Sequence, residues 1–272
     1  MIKNYLKVAL RTLLRNKVHT VINMAGLSVG LACSLFIMLW VQNEYSIDAF
    51  HKNVSRLYTV YVRAYSNHKV SGMYITPGIL ASELKKVIPD MEYATNMGFG
   101  ETSTFQAGNK TLKVFGNSAG ADYFKMFSYR LLQGDAQNAL NSPVSIAISR
   151  KMAGEFFGSP EAAIGKMIRY QNSKNFTVTA VFDDLPKNVS QTFDFLTNWD
   201  AFLDNNQWAR QMGNFGPPAY VMLRSGANAA LVNKKIAHFL DSYYGKVDRK
   251  TATSFTDLAL QPYRDTYLFN RY

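Results

Sequence analysis

The chain has 272 residues, 47% of them apolar, and carries 30 Lys and Arg against 19 Asp and Glu, a net charge of +11. This length and apolar content suit one large or two modest folded domains and exclude a disordered or fibrous chain. Five cations (Lys3, Lys7, Arg11, Arg15 and Lys17) crowd an acid-free N-terminal stretch, and the remaining +6 is interspersed with acids, so there is no nucleic-acid footprint.

In the opening stretch Ile2, Tyr5, Leu6, Ala9, Leu10, Leu13 and Leu14 recur at three- and four-residue steps, with most of the cations on the other side. Residues 1–19 are either a basic amphipathic helix on the cytoplasmic leaflet, with Lys3, Lys7, Arg11, Arg15 and Lys17 against anionic headgroups, or a positive flank that continues a membrane helix. From Thr20 to Asn43 there is no charged residue, and Val21 to Gln42 alone would extend about 33 Å as a helix, enough for a hydrocarbon core of about 30 Å. A cleaved signal would have a shorter apolar region followed by small residues, whereas Gln42, Asn43, Glu44 and Tyr45 follow here, so the stretch 20–43 is expected to be an uncleaved transmembrane helix. The cations before it, with Glu44 and Asp48 after it, keep the N-terminus in the cytoplasm and place 44–272 outside, with Trp40 and Tyr45 near the outer interface. Gly26 and Gly30 form a G-x-x-x-G that is either a face for close approach of another membrane helix or a coincidence of composition. Cys33, the single cysteine, permits no intramolecular disulfide and no Cys-based metal site.

After Asp48 short β-type runs alternate with short helical ones, which points to α+β or α/β rather than a bundle or an all-β sandwich. Leu57 to Ala64 reads as a strand. Thr76-Pro77 is expected to open a helix carrying Ile79, Leu80, Leu84, Val87 and Ile88 and ending before Pro89. Thr102 to Gln106 and Thr111 to Phe115 flank Gly108-Asn109 as a hairpin. Asp122 to Phe127 reads as a short helix before a strand from Tyr129 to Leu132. Pro143 to Ser149 is a buried strand, Ser149 caps a helix through Phe157, and Gly158 closes it. Gly165 opens a further strand, and Phe176 to Phe182 is another, stopped by Asp183-Asp184-Leu185-Pro186. Ala219 to Leu223 is a strand, Ala229 to Tyr244 a helix with Leu231, Ile236, Phe239 and Leu240 on its apolar side, and Leu258 to Gln261 the last strand.

Chemistry-bearing patterns are sparse. There is no phosphate-binding G-x-x-x-x-G-K-[ST] and no G-x-G-x-x-G behind a strand, so no nucleotide cofactor is expected. His19, His51, His68 and His238 lack companions at metal-ligand spacing, and no metal site is assigned. Asp183, Asp184, Asp194, Asp200 and Asp204 crowd one region and read as turn and cap residues rather than a catalytic pair, while Ser145 and Ser149 lack nucleophile-elbow glycines. No catalytic residue is nominated. Phe99, Phe105, Phe115, Tyr123, Phe124 and Phe127 fit core packing better than an aromatic ligand surface.

Several motifs in order carry a resemblance: Tyr5 to Lys17; Gly26-Leu27-Ser28-Val29-Gly30; Asp48-Ala49-Phe50-His51 with Arg56-Leu57-Tyr58; Val144 to Ser149; Phe156-Phe157-Gly158; Ile164-Gly165-Lys166; Phe176-Thr177-Val178; and Phe193-Asp194-Phe195. Together they resemble the first transmembrane helix and MacB-like periplasmic core domain of FtsX/MacB-type ABC transporter permeases. The resemblance implies an α+β domain of two lobes, a membrane-proximal one at about 45–115 and 215–272 and an inserted distal one at about 116–214. It implies a non-catalytic subunit of the bacterial inner membrane whose periplasmic domain couples motion of a separate cytoplasmic ABC ATPase to export or extraction of an envelope substrate. Implied partners are that ATPase, membrane lipids and a second permease copy or half. Two departures stand out: relatives have at least four membrane helices whereas no long apolar run follows Val41, so the chain reads as a fragment, and Ser190-Gln191 replaces a frequent Ser-His. Topology alone equally allows a membrane-anchored extracytoplasmic binding or sensor domain without transport.

Overall fold

The computed structural model describes residues 2–67, 69–249 and 251–269, so His68 and Tyr272, together with the side chain of Ile2, lie outside the described residues. The chain divides into two compact units, the first ending at Ser46 and the second beginning at Ile47.

The first unit is two helices, α1 (Ile2–Arg15) and α2 (Lys17–Ser46). They part at Asn16, yet the backbone ladder continues through Asn16 N–H to the Thr12 carbonyl at 3.1 Å and Thr20 N–H to the Asn16 carbonyl at 3.0 Å. The Thr20 hydroxyl donates to the Leu13 carbonyl at 2.9 Å, satisfying an acceptor near the end of α1. At 30 residues α2 is about 45 Å long, and none of its residues is buried.

In the second unit β1 (Leu57–Ser66) and β2 (Lys69–Met73) form a hairpin, α3 (Leu80–Val87) leads to β3 (Met91–Asn96), and β4 (Glu101–Ala107) turns into β5 (Lys110–Ala119). A short α4 (Tyr123–Met126) precedes β6 (Leu131–Gln133) and β7 (Ser145–Ser149); α5 (Arg150–Phe157), α6 (Pro160–Ala163), β8 (Met167–Tyr170) and β9 (Lys174–Phe182) follow. Then come β10 (Phe195–Asn198), α7 (Trp199–Asn205), β11 (Ala219–Leu223), α8 (Ala229–Ala237), α9 (Asp241–Tyr244), β12 (Ser254–Pro262) and α10 (Tyr263–Thr266).

One sheet runs β12-β1-β11-β3, with β2 beside the outer half of β1, and all its pairings are antiparallel. The other runs β6-β9-β7-β10-β5-β4-β8, and β8 also pairs with β9, so six of its strands close on themselves. Strand alternation explains how the two sheets share a core. On β11, Ala219, Val221 and Leu223 pack toward Leu80 and Leu84 of α3 and Val232 and Ile236 of α8, while Tyr220 and Met222 point the other way. On β7, Ile146 and Ile148 pack toward α5, and Ala147 faces the layer that holds Tyr220 and Met222. The result is helices, sheet, a central aromatic core, sheet and helix, with β7 and β11 buried on both faces. Each large side chain so buried contributes roughly 1.5–3 kcal/mol.

Local chemistry sets several ends as expected. Ser149 Oγ accepts from Met152 N–H at 3.0 Å, and Gly158, at φ 90°, returns its N–H to the Gly154 carbonyl. The β4–β5 turn is Gly108-Asn109, with Gly108 at φ 56°. Other expectations need correcting. Thr76 does not cap a helix: its N–H and hydroxyl both go to the Pro217 carbonyl, at 3.0 and 2.8 Å, because this buried residue must satisfy its polar atoms where it lies, and α3 starts only at Leu80. The long helix from Ala229 stops at Ala237, with Asn228 as its cap, and resumes at Asp241. Leu231 is exposed, since Val232, Ile236 and Leu240 sit on the buried side and Leu231 is a quarter-turn away. β5 runs through 115 and 116, with Gly116 pairing with Phe195 of β10, and sheet membership changes between Asn96 and Glu101.

Gly134 follows β6 at φ 77°, and a Cβ there would overlap the Thr179 carbonyl oxygen of β9. Gly134→Ala is expected to lower stability by about 2 kcal/mol, from the left-handed backbone and the backbone overlap together, and urea denaturation measures it.

Candidate functional site

The residues directly after α2 in sequence enter the central core. Asp48 is 3% exposed and adopts a left-handed φ of 59°, which Asp tolerates better than most residues. Its N–H donates to the Asn188 carbonyl at 2.9 Å, one carboxylate oxygen accepts from Ser190 N–H at 3.1 Å, and the other accepts the Ser190 hydroxyl. A buried carboxylate thus closes the chain's entry onto the loop between β9 and β10.

Three residues on, His51 is 1% exposed and stands among Phe50, Phe127, Tyr129 and Tyr263, with ring centroids 4.1 to 5.9 Å away. Its Nδ1 accepts from Ser128 N–H at 3.1 Å, so the neutral ring carries its proton on Nε2, a buried atom without a hydrogen-bonding partner among the described residues. The Ser128 hydroxyl accepts from Lys52 N–H at 2.9 Å, tying 51–52 to 128 twice. Burial lowers the His51 pKa from 6.5 to about 4, the Asp48 carboxylate opposing it more weakly.

Around this pair lies a layer of tyrosines. Phe127 meets Tyr220 of β11 and Tyr263 of α10 edge-on at 5.6 and 5.2 Å, and Tyr123 stacks on Tyr129 at 6.0 Å. Burial raises the pKa of Tyr123, Tyr129 and Tyr263, and pushes Tyr220 up to about 12, so the hydroxyls stay protonated. Gln191 donates from Nε2 to the Tyr220 hydroxyl at 3.0 Å. The assembly draws on the first sheet, the second sheet and the chain leaving α2. It is a packed joint, suited to holding the entering chain and both sheets together.

The residues singled out in the sequence fall elsewhere. Lys3, Lys7, Arg11 and Arg15 follow one another at four-residue steps along α1, all exposed, and Lys17 lies past the break at the head of α2. Gly26 and Gly30 have open space where side chains would be. Asp183 pairs with Arg150 at 2.8 Å, Asp204 with Arg210 at 2.7 Å, and Asp194 accepts the Ser149 hydroxyl at 2.9 Å. Phe105, Tyr123, Phe124 and Phe127 are core, whereas Phe99 and Phe115 are exposed. Among the described residues no three His, Cys, Asp or Glu side chains are grouped as metal ligands. Asp48 and His51 could be found in the sequence only as a motif, since Ser128 and Ser190, which explain them, lie 77 and 142 residues away.

The model for the MacB-like periplasmic core domain matches residues 20–239. Among solved structures, a domain assigned to a permease protein of Porphyromonas gingivalis is 23% identical with a TM-score of 0.63, covering 78% of this chain and 92% of its own. The periplasmic region of MacB from Actinobacillus actinomycetemcomitans is 16% identical with a TM-score of 0.50, covering 78% of this chain and 90% of its own. Among curated proteins none matches the sequence significantly.

Proposed function

The chain belongs to the MacB-like periplasmic core domain family of ABC-type permeases, and from that premise we propose that it is a permease subunit, or the first part of one, that transmits motion across a bacterial inner membrane. A separate cytoplasmic ATPase supplies the motion, and the domain from Ile47 onward delivers it to the export or extraction of an envelope substrate. One observation carries the reading: an apolar helix of 30 residues, none of them buried, leads in the next few residues into a buried carboxylate and histidine at the centre of the family domain. Such a helix needs an apolar surrounding of about 30 Å, which a bilayer supplies. In this reading Lys3, Lys7, Arg11, Arg15 and Lys17 lie against anionic lipid on the cytoplasmic side, and Gly26 and Gly30 receive a helix from a second permease copy or half.

Cys33 is the single cysteine, so a Cys33→Ala background allows single reporters. Lys166→Cys is expected to react with a membrane-impermeant maleimide in intact spheroplasts, and Lys7→Cys only after lysis; the reverse pattern sinks the topology. The full chain purified from its own membranes is expected to bring down a nucleotide-binding-cassette ATPase. Ligand-dependent stabilisation with no ATPase retained would instead favour an anchored sensor.

A further inference from the structure

Away from the joint, a cleft with a cavity volume of about 370 Å³ opens where the start of β4 faces α7. Its aromatic side is Phe99, Tyr170 and Phe202, and its polar side is Asn117, Asn205 and Asn206 with Glu101. Among the described residues no Lys or Arg lines it, which sets it apart from a site for phosphate or another anion.

Phe99 is 66% exposed and Trp208 is 40% exposed. A Cβ on Gly216 would lie 2.6 Å from the Trp208 ring and 3.7 Å from Phe99, so a residue without a side chain lets both rings settle on the same stretch of backbone, Phe99 lining the cleft and Trp208 just outside its lining. The polar groups are held in place. Asn117 donates to the Gly98 carbonyl at 3.0 Å and accepts from Ser118 N–H at 2.8 Å. Asn206 donates to the Phe202 carbonyl at 2.9 Å and accepts from Trp208 Nε1 at 3.3 Å, which ties the amide row to the exposed indole. Tyr170 donates to the Glu101 carboxylate, as does the Ser103 hydroxyl at 3.1 Å. The exposed Asn205 amide has no protein hydrogen bond among the described residues.

We propose that this cleft binds a neutral carbohydrate, one or two pyranose units, with a sugar C–H face on Phe99 and Trp208 and ring hydroxyls or acetamido groups on Asn205, Asn206 and Glu101. Flat apolar rings beside one fixed amide (Asn206), one free amide (Asn205) and one carboxylate, with no cation, match a ligand that has an apolar face, a hydroxyl-rich edge and no charge. The volume is at the small end of the range for ligand pockets. The inference stands independently of transport and of membrane orientation.

The test uses the full chain in lipid nanodiscs prepared without glycoside detergent. Triacetylchitotriose, maltotriose and cellotriose are titrated by calorimetry. At least one is expected to bind saturably, with affinity falling about tenfold or more in Trp208→Ala and in Phe99→Ala. Trp208→Phe, which keeps a ring, is expected to retain most of the affinity, and Met73→Ala, on exposed β2, all of it, the latter serving as the folding control. Absence of saturable binding for all three sugars up to about 10 mM overturns the proposal, as does binding that survives both alanine substitutions, or saturable binding of an apolar tripeptide in place of the sugars.

Discussion

Asp48→Ala is expected to destabilise the domain by about 3 kcal/mol, from lost hydrogen bonds and backbone conformation together. The buried Asp48 carboxylate takes both the N–H and the hydroxyl of Ser190, and Ala removes the acceptor for both, leaving the exposed Ser190 donors to water. Hydrogen bonds to a charged group are worth roughly 1.5–3 kcal/mol each, and water recovers part of that at the exposed Ser190. The backbone contributes further, because φ at 48 is 59°, a conformation that Ala adopts less readily than Asp. Asp48→Asn keeps one acceptor oxygen and the tolerance for that backbone, so about half the loss is expected. Asp183→Ala removes a partly exposed ion pair with Arg150 and is expected to cost less than about 1 kcal/mol. Urea denaturation of the full chain in nanodiscs, followed by the fluorescence of Trp199 and Trp208 in a Trp40→Phe background, reads all three. Were Asp48→Ala to unfold at the urea concentration of Asp183→Ala, the carboxylate would not be what holds the entering chain.

The contrast between Asp48 and Ser149 shows what the sequence could reveal. Ser149 caps the helix that follows it by accepting from Met152 N–H three residues ahead, and Gly158 closes that helix nine residues on, so both are visible in a short window. The Gly108-Asn109 turn is local in the same sense. Thr76-Pro77 has equally good local chemistry and misleads, because an acceptor at Pro217 takes the threonine. The strand β3, Met-Glu-Tyr-Ala-Thr-Asn, carries an acid and an amide and shows little β signal; it is a strand because β11 lies beside it. The joint is least visible of all. Asp48, His51, Phe127, Ser190, Tyr220 and Tyr263 come from five separate segments, and only tertiary pairing brings them together. The motif order nevertheless pointed to the family, because Asp48-Ala49-Phe50-His51 sits where the fold needs a residue that accepts positive φ and carries a carboxylate, followed by a ring that fits among tyrosines.

His51 makes the same joint sensitive to acid. In the unfolded chain it takes up a proton near pH 6.5, whereas in the folded domain burial delays uptake to about pH 4. Between those values the unfolded state binds more protons, so the contribution is complete above pH 6.5 and is lost as the pH falls toward 4. A displacement of this size corresponds to about 3 kcal/mol. The surrounding tyrosine hydroxyls stay protonated throughout that window and contribute no slope. Protonation would also put a hydrogen on Nδ1, which accepts from Ser128, so the charge and the lost bond act together. His51→Asn keeps an acceptor near Nδ1 and cannot titrate; its stability is expected to be lower at pH 7.5, from lost ring packing, but to fall less steeply below pH 6.5. Carboxylates elsewhere contribute equally to both proteins, so the difference between their denaturation midpoints at pH 7.5, 5.5 and 4.5 isolates the histidine. Parallel curves would mean that the buried ring is solvated enough to take its proton in the folded state. A diverging pair would show that the chain leaving α2 is held by a contact that is firm at neutral pH and released by acid.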